Sequence, residues 1–165
     1  DAADGGTVTA GNCCRNSDGA AAVVLVSADG RAGAPGLALV ASSTVGYDPA
    51  LPGLAPVPAV ESLLRATGVT LADLAAIEVV EAFAAQTLAV LTRLGLAAGE
   101  EIDARVCADG GAIALGHPWG ASGAISVVRL FSRLVRSGAP AGTLGLATAA
   151  AGGGIGVAAL FEVVR

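Results

Sequence analysis

Lysine and methionine are absent from the 165-residue chain, histidine occurs once, and aromatic residues make up only 3% of the sequence. All nine basic residues are therefore arginines, a bias that we attribute to GC-rich coding rather than to function. The absence of methionine, even at position 1, indicates a chain that was processed, trimmed or taken from something longer. Because rings are scarce and 24 glycines are present, the core must consist of small and aliphatic side chains in close contact with backbone.

The charge and the cysteine content exclude several classes of protein. A net charge of −5 argues against nucleic-acid binding, which needs clustered cations to contact phosphates. Three cysteines, two of them adjacent, form neither a C-x-x-C pair nor an even-numbered disulfide framework, so no metal site is predicted. The chain does not open with the charged and apolar segments of a secretory signal. These features predict one domain over residues 1–165 in the reducing cytoplasm.

One uncharged segment, Ser137 to Phe161, is long enough to cross a bilayer. Within it the bare stretch ATAAAGGGIG, Ala147 to Gly156, fits either a membrane segment or a tight strand-turn-strand. Pro140, the glycines and the shortage of large aliphatic side chains would make membrane insertion weak. Two strand-like runs separated by small residues predict a β-hairpin here, and no membrane span.

Apolar runs and turn signals alternate along the chain in the rhythm of an α/β protein. Strands are predicted at Ala20 to Ser27, Leu37 to Ser42, Ile77 to Val80, Gly142 to Ala149 and Ile155 to Val164. Two helices are predicted at Ala59 to Thr67 and Glu81 to Leu94. A third is predicted to begin after Gly123 and to reach Arg136. A glycine follows the end of each predicted helix, as is common where a helix stops.

Polar residues support these helix boundaries. The sequence from Thr70 to Asp73 resembles a capping box that opens a short turn. Glu81 is expected in the first turn of the second helix, where a carboxylate complements the helix dipole. Arg129, Arg133 and Arg136 lie toward the end of the last helix, where cations are favoured.

His117 is the only histidine, and it lies in the sequence GHPWG at the end of a glycine-rich loop. A lone loop histidine is often satisfied by a backbone carbonyl and has no further role. Here the glycines allow a ligand to approach closely, and a helix begins just afterwards. This setting favours a histidine that acts as a base or donates a hydrogen bond to a developing oxyanion.

The sequence of this loop is specific, because GGAIALGHPWGASGA resembles the histidine motif of the thiolase superfamily. Upstream, VTAGNCCRNSDGAAAVVLVS resembles the stretch that opens the C-terminal half of thiolases, and GYDPALPGLAPVPAV resembles their substrate loop. EVVEAFAAQTLAVLTRLG is similar to their Asn-Glu-Ala-Phe motif, and GLATAAAGGGIGVAALFEV to their closing Cys-x-Gly-Gly-Gly motif. The order and spacing hold along essentially the whole chain, which resembles the C-terminal half alone with degenerate catalytic motifs.

The resemblance implies an α/β fold, with a five-stranded mixed sheet flanked by helices in the order βαβαβαββ. It also implies a homo- or hetero-oligomer in which this chain packs against an N-terminal thiolase half. Thiolases make or break a carbon–carbon bond between acyl-CoA units through a cysteine thioester, and the nucleophilic Cys belongs to the N-terminal half. An acyl-CoA thioester is therefore expected as substrate, with no further cofactor.

The catalytic positions of the family are only partly retained. His117 matches the catalytic histidine of the family. Val80 stands where thiolases have the Asn of an oxyanion hole, and Ala150 stands where they have the acid/base Cys. Neither side chain carries a donor or an acceptor. Gly152 matches the residue whose backbone N–H helps to form a second oxyanion hole, and this donor does not depend on a side chain.

Other positions match residues that contact the coenzyme in the family. Ala82 and Phe83 match residues that line the pantetheine tunnel. Ala10 and Cys14 match the CoA-contacting loop, although thiolases commonly have Ser at the position of Cys14. The unusual Arg15 either meets a CoA phosphate or is simply solvated. Cys107 lies outside this motif order and is expected to be a buried structural thiol.

Two hypotheses of different classes follow. In the first, the chain belongs to an acyltransferase in which His117 activates the Cys of an N-terminal half. Without the second Cys, acyl transfer to another acceptor, thioester hydrolysis or decarboxylative condensation is expected rather than normal thiolysis. In the alternative, the chain is a non-catalytic thiolase-like subunit that binds acyl-CoA or scaffolds a partner.

Overall fold

Four of the apolar runs form one mixed sheet in the computed structural model, which describes residues 5–165. The strands lie in the order β1 (Gly36–Gly46), β6 (Ile155–Val164), β5 (Leu144–Ala151) and β2 (Leu74–Val79). β6 pairs antiparallel with both of its neighbours, whereas β2 runs parallel to β5. The expected α/β fold with a mixed sheet is confirmed, with four strands in the sheet rather than five. Residues 1–4 of the domain expected over 1–165 lie outside the described residues.

Helices connect the strands and cover both faces of the sheet. They are α1 (Pro56–Thr67), α2 (Ala84–Arg93), α3 (Ala112–Leu115) and α4 (Ser122–Leu130), which continues as a π-helical turn at Phe131–Arg136. Short 3-10 turns at Pro52–Leu54 and Leu71–Asp73 precede α1 and β2. A small separate ladder, β3 (Ala97–Ala98) with β4 (Glu101–Ile102), was not predicted from the sequence.

Local signals place the ends of α1 and the start of β2. α1 begins at Pro56, three residues before the predicted Ala59, because proline fits the first turn of a helix, where its missing N–H costs nothing. It ends at Gly68, which adopts the left-handed conformation with φ 71°. The capping box is confirmed, since the Thr70 N–H donates to the Asp73 carboxylate at 2.8 Å.

The start of α2 differs from the prediction. Phe83 is extended, with φ −142° and ψ 142°, so the helix begins at Ala84 rather than at Glu81. Glu81 therefore lies outside the first turn of α2. Its carboxylate instead accepts a hydrogen bond from the backbone N–H of Ile113 in α3, at 3.2 Å. The charge of Glu81 thus fixes the glycine-rich loop rather than the helix that follows it.

The core has one layer on each face of the sheet. The first is formed mainly by side chains of α1, α2, β2, β5 and β6, with Leu63, Ile77, Leu91 and Leu146 almost completely buried. The second lies between the opposite face and α4 with its π-helical continuation, around Leu130, Phe161 and Val163. Aliphatic side chains therefore form most of the core, as the scarcity of aromatic rings in the composition predicts.

The predicted strand from Ala20 to Ser27 is wrong for this chain. These residues pair with no strand among residues 5–165, and Val24 and Leu25 are each 89% exposed. A β-branched run has the side chains of a strand, but a strand also needs a neighbour to bond its backbone. This segment lacks that neighbour here and carries a charge-free apolar surface into solvent.

The stretch from Ala147 to Gly156 forms the predicted hairpin. β5 and β6 are joined by the residues Gly152 to Gly154, and Ala151 faces Ile155 across the turn. Gly156 packs against Ala55, just before α1, so closely that an added Cβ would overlap the carbonyl of Ala55. Among residues 5–165, no helix combines the length and the apolar character needed to cross a membrane.

Replacing Gly156 by Ala should lower the free energy of unfolding by about 1–3 kcal/mol, because the new methyl forces β6 away from Ala55. Urea denaturation measures this loss. Gly46→Ala in the adjacent strand is the matched control, since its methyl meets open space. Equal unfolding midpoints for the two variants would contradict the close backbone contact.

Candidate active site

His117 lies in the loop between α3 and α4. Gly116 before it has φ 101°, a conformation that L side chains rarely adopt, and Ser17 packs against the position that a Cβ would take. The backbone N–H of His117 donates to the carbonyl of Arg15 at 3.2 Å. The residue is partly buried. The glycine therefore sets the direction from which the imidazole enters the site.

Ser122, at the start of α4, is the hydrogen-bond partner of the imidazole. Its Oγ lies 2.6 Å from His117 Nδ1, and the serine is only 6% exposed. The same Oγ lies 3.2 Å from the carbonyl of Pro118. Sequence reasoning missed Ser122 because a serine at the start of a helix is ordinary. Its five-residue separation from His117 within the quoted motif was the only signal.

The single hydroxyl proton of Ser122 has two acceptors within reach, His117 Nδ1 and the carbonyl of Pro118. If the proton goes to Pro118, Nδ1 carries its own proton and Nε2 is free to act as a base. If the proton goes to Nδ1, Nε2 carries the ring proton and is a donor. The geometry is thus compatible with both chemical roles expected of His117.

Burial lowers the pKa of His117 below its usual value, because removal from water disfavours the charged imidazolium. The ring is therefore predominantly neutral near pH 7. A neutral imidazole can either accept a proton or donate one, as the hydroxyl of Ser122 directs.

A short segment, Asn12 to Arg15, brings the predicted coenzyme-contacting residues toward His117. Cys14 N–H donates to the carbonyl of Ala82 at 2.9 Å, and Cys13 forms an isolated bridge with Phe83. The carbonyl of Arg15 then accepts the hydrogen bond from the backbone N–H of His117. Ala10 lies at the start of the same loop, exposed and near the Cys13 thiol.

Cys14 and Cys107 are poor nucleophile candidates, because the pKa of each thiol is raised. Burial raises the pKa of Cys14, and the neighbouring Cys13 raises it further. Cys107 is 8% exposed, which confirms its expected burial, and desolvation raises its pKa to about 11. Its Sγ lies 3.4 Å from both the N and the O of Val79. A thiol in this state packs against β2 and does not ionise near neutral pH.

The remaining predicted positions lie around the end of β5. Val80 N–H donates to the carbonyl of Thr148 at 3.0 Å, which places Val80 beside β5. Ala150 faces Gly156 across the hairpin, and Gly152 is exposed in the turn. Within residues 5–165, no hydrogen bond joins Gly152 to the loop of His117. The structure therefore brings Val80 next to β5 but does not bond the turn to the histidine.

A buried carboxylate lies behind the histidine loop. Glu78 on β2 is 2% exposed, and its two oxygens accept from Arg129 Nε at 2.9 Å and Arg133 NH1 at 2.7 Å. Arg129 also donates to the carbonyl of Gly110, and Arg133 to that of Arg105. The sequence placed both arginines only as cations favoured toward the end of the last helix. Both side chains point at the sheet and pair with Glu78, and no sequence motif predicts this pairing.

Two recesses adjoin the loop of His117. An open depression of about 470 Å³ is lined by residues 17–21 and 118–121, including the exposed Trp119. A recess of about 40 Å³ between β2, Gly116 and α4 is too small for a pantetheine arm. Within residues 5–165, no group of three or more His, Cys, Asp or Glu side chains is arranged to hold a metal ion. The described part of the chain thus supplies one wall of a site rather than an enclosed pocket.

Because the chain has a single histidine, the pKa of His117 can be measured without ambiguity. A ¹³C-detected titration of His117 should give a pKa below 6.5, since desolvation is the cause of the shift. The unfolded chain binds its proton first as the pH falls, so folding stability should decrease as the pH drops below 6.5. Ser122→Ala should keep the depressed pKa, because the ring stays buried, but change the ring ¹³C shifts, because Nδ1 loses its hydroxyl partner. A wild-type pKa at or above 6.5 would contradict the burial of the ring.

Comparisons with known proteins agree with the fold. Residues 34–163 match the family model described as "Thiolase, C-terminal domain". The chain is 46% identical over 162 residues to a β-ketoadipyl-CoA thiolase of Acinetobacter baylyi, and 45% identical over 163 residues to a 3-ketoacyl-CoA thiolase of Aeromonas hydrophila. Each alignment covers 96% of this chain but only 39% and 41% of the respective relatives.

Solved structures give the same result. An acetyl-CoA acetyltransferase of Bacillus anthracis superposes with a TM-score of 0.70 at 38% identity, over 78% of this chain and 30% of that chain. An Ascaris suum thiolase in complex with coenzyme A superposes with a TM-score of 0.68 at 36% identity, over 76% of this chain and 30% of that one. The chain spans about two fifths of the length of the curated relatives that it matches. It belongs to the thiolase family, as a C-terminal thiolase domain.

Proposed function

We propose that this chain acts, over residues 1–165, as the C-terminal domain of a thiolase-type acyltransferase, together with an N-terminal half that supplies the nucleophilic Cys. The His117–Ser122 pair is the observation that carries the proposal, because it holds a neutral imidazole in a defined orientation at the start of α4. An acyl-CoA thioester is the substrate, and no cofactor is required.

In the proposed first step, His117 Nε2 takes the proton of the partner thiol, and the thiolate attacks the acyl carbonyl. Coenzyme A leaves as a thiolate and takes that proton back from the imidazolium, so the balance closes on an acyl-enzyme and free coenzyme A. Ser122 supports this step when its hydroxyl donates to Pro118. When the hydroxyl turns to Nδ1, Nε2–H can donate to the oxygen of the tetrahedral intermediate.

The coenzyme side of the proposed site lies along the segment from Asn12 to Arg15. Ala10, Cys14, Ala82 and Phe83 contact the pantetheine arm in this proposal, supported by the bonds that connect this segment to Ala82 and His117. Gly152 supplies a backbone N–H to an oxyanion. Because Gly152 and His117 share no bond in the described chain, the N-terminal half is expected to complete the wall between them.

The exposed run from Ala20 to Ser27 supports the need for this partner. Val24, Leu25 and Val26 are exposed by 89%, 89% and 59%, an apolar surface that a stable protein covers. The relatives extend well beyond the part matched by this chain. We propose that the complete assembly is a homo- or hetero-oligomer. Three free thiols fit the reducing cytoplasm, which we propose as its location.

The changed positions restrict the second step. Val80 is 9% exposed beside β5 and offers only its backbone there, and Ala150 has no group that can move a proton. Abstraction of an α-proton from a second acyl-CoA therefore lacks its base. Acyl transfer to another acceptor, thioester hydrolysis or a decarboxylative condensation needs no such proton abstraction, and these reactions are the proposed outcomes.

The same two positions favour a second candidate function, a non-catalytic subunit that binds acyl-CoA or scaffolds a partner. Loss of two polar side chains is the expected course when catalysis is no longer selected. The contact between His117 and Ser122 favours the catalytic proposal instead, because binding alone does not require an oriented imidazole.

Mass spectrometry of the assembled protein with an acyl-CoA separates the two functions. We expect a covalent acyl adduct on the N-terminal half, formed about 10² to 10⁴-fold more slowly in His117→Ala, because proton transfer to the imidazole is lost. Arg136→Ala, distant in sequence from the loop, is the control for handling and assembly. Absence of an adduct, or one that forms equally fast in His117→Ala, would reject the catalytic proposal.

Restoring the two missing side chains tests the proposed block on carbon–carbon bond formation. Ala150→Cys combined with Val80→Asn should give measurable condensation of two acetyl-CoA molecules where the unmodified protein gives none, because the acid/base group and an oxyanion contact return. Coenzyme A release and product are followed together. Ala150→Ser, which adds a polar group with a far weaker acid, is the matched control. Acylation without condensation in the double variant would show that the block lies elsewhere.

A further inference from the structure

Arg129 has two contacts that point in different directions. Its Nε donates to Glu78 at 2.9 Å, and its NH2 donates to the backbone carbonyl of Gly110. Glu78 lies on β2 and is almost completely buried, whereas Gly110 begins the glycine-rich segment that leads to His117. The guanidinium therefore connects the core of the sheet to the loop that carries the imidazole.

The segment from Gly110 to His117 is held at few points. Gly110 is fixed at one end by Arg129 and by its own N–H, which donates to Cys107 at 2.8 Å. Glu81 holds Ile113 in the middle, and His117 is held through Arg15 and Ser122. α3 is only four residues long, so it contributes little rigidity of its own. Each anchor therefore matters for the position of the imidazole.

Arg129 and Ser122 lie on one face of one helix. Their separation of seven residues is two turns of α4, and Ser126 between them shares this face. The helix thus presents the hydrogen-bond partner of His117 and the anchor of Gly110 at a fixed spacing. If either end slips, the distance between Nδ1 and Ser122 Oγ changes.

We propose that Arg129 is a positioning residue for His117: by bridging Glu78 and the carbonyl of Gly110, it fixes the glycine-rich segment so that the imidazole meets Ser122. This inference rests on the proposed function, because the orientation of His117 matters only if the imidazole reacts. The arginine does not touch the substrate, and it acts through the backbone of the loop.

Charge balance is not what requires Arg129. Arg133 lies on the same carboxylate at 2.7 Å and is retained when Arg129 is replaced. Removing Arg129 leaves one buried cation opposite one buried anion, an arrangement that folded proteins tolerate. Arg133 makes no hydrogen bond to Gly110, and its nearest contact with that loop is the Asp109 carboxylate at 4.0 Å. Arg133 is therefore the matched control.

The test uses the single histidine of the chain. With ¹⁵N-histidine in this chain alone, the two ring nitrogens of His117 are read by long-range ¹H–¹⁵N correlation, in the isolated chain and after assembly with an unlabelled N-terminal half. The wild type should show ring-nitrogen shifts displaced from those of the unfolded chain, because Nδ1 is held against the Ser122 hydroxyl. Arg129→Gln and Arg129→Lys should move these shifts toward the values of the unfolded chain, and Arg133→Gln should keep the wild-type shifts.

Arg129→Lys is expected to fold, because its ammonium still neutralises the carboxylate of Glu78. One nitrogen cannot reach both Glu78 and Gly110 in the directions that the guanidinium spans. Circular dichroism establishes that each variant folds. Unchanged ring-nitrogen signals in a folded Arg129→Lys or Arg129→Gln protein, or equal loss in Arg133→Gln, would overturn the proposal.

Activity provides an independent second readout. In the assembled enzyme, Arg129→Gln should lower kcat for acyl transfer by about 10- to 100-fold with little change in KM, as expected for a displaced catalytic group. If no acyl adduct forms in any protein, the proposed function fails while the nitrogen signals still decide the role of Arg129. If the adduct forms but the signals do not respond to Arg129, only the positioning role fails.

Discussion

The buried carboxylate of Glu78 is the constraint on which the site depends. A carboxylate removed from water must be neutralised, and here two arginines reach it from α4 and its π-helical continuation, which cover that face of the sheet. A buried carboxylate left with no cation opposite it typically costs about 3–5 kcal/mol, so β2 and α4 must keep this relative position. Ser122 begins the same helix, and Gly110 is bonded to the same arginine. The core charge therefore determines where the loop of His117 can lie.

The described chain presents an oriented histidine without walls around it, which fits the proposed reaction centre shared with an N-terminal half. Its recesses beside His117 are either open or too small for the coenzyme arm. The apolar run near Val24 is exposed, and in the sequence it follows the loop that is expected to contact coenzyme A. In the proposed function, an N-terminal half contributes the nucleophile and this chain contributes the proton transfer. Under the same proposal, Val80 and Ala150 alter the second half-reaction and leave the first one intact.

Local signals in the sequence predicted what depends on neighbouring residues. Gly68 ends α1, the Thr70–Asp73 capping box precedes β2, and the hairpin follows from two strand runs around glycines. The strand expected from Ala20 to Ser27 was wrong because pairing needs a partner strand, which a side-chain pattern does not supply. The contacts of Glu78 with Arg129 and Arg133 join residues more than fifty positions apart, so only the fold reveals them. The resemblance located His117, but its hydroxyl partner required the geometry of the loop.

The most direct test of the shared site is an experimental structure of this chain assembled with its N-terminal half. The distance to measure joins His117 Nε2 to the Sγ of the nucleophilic cysteine. The account predicts that the two atoms lie within hydrogen-bonding reach, about 3.5 Å, with Nδ1 still on Ser122. An imidazole turned away from the thiol, or a cysteine far beyond its reach, would contradict a catalytic role for His117.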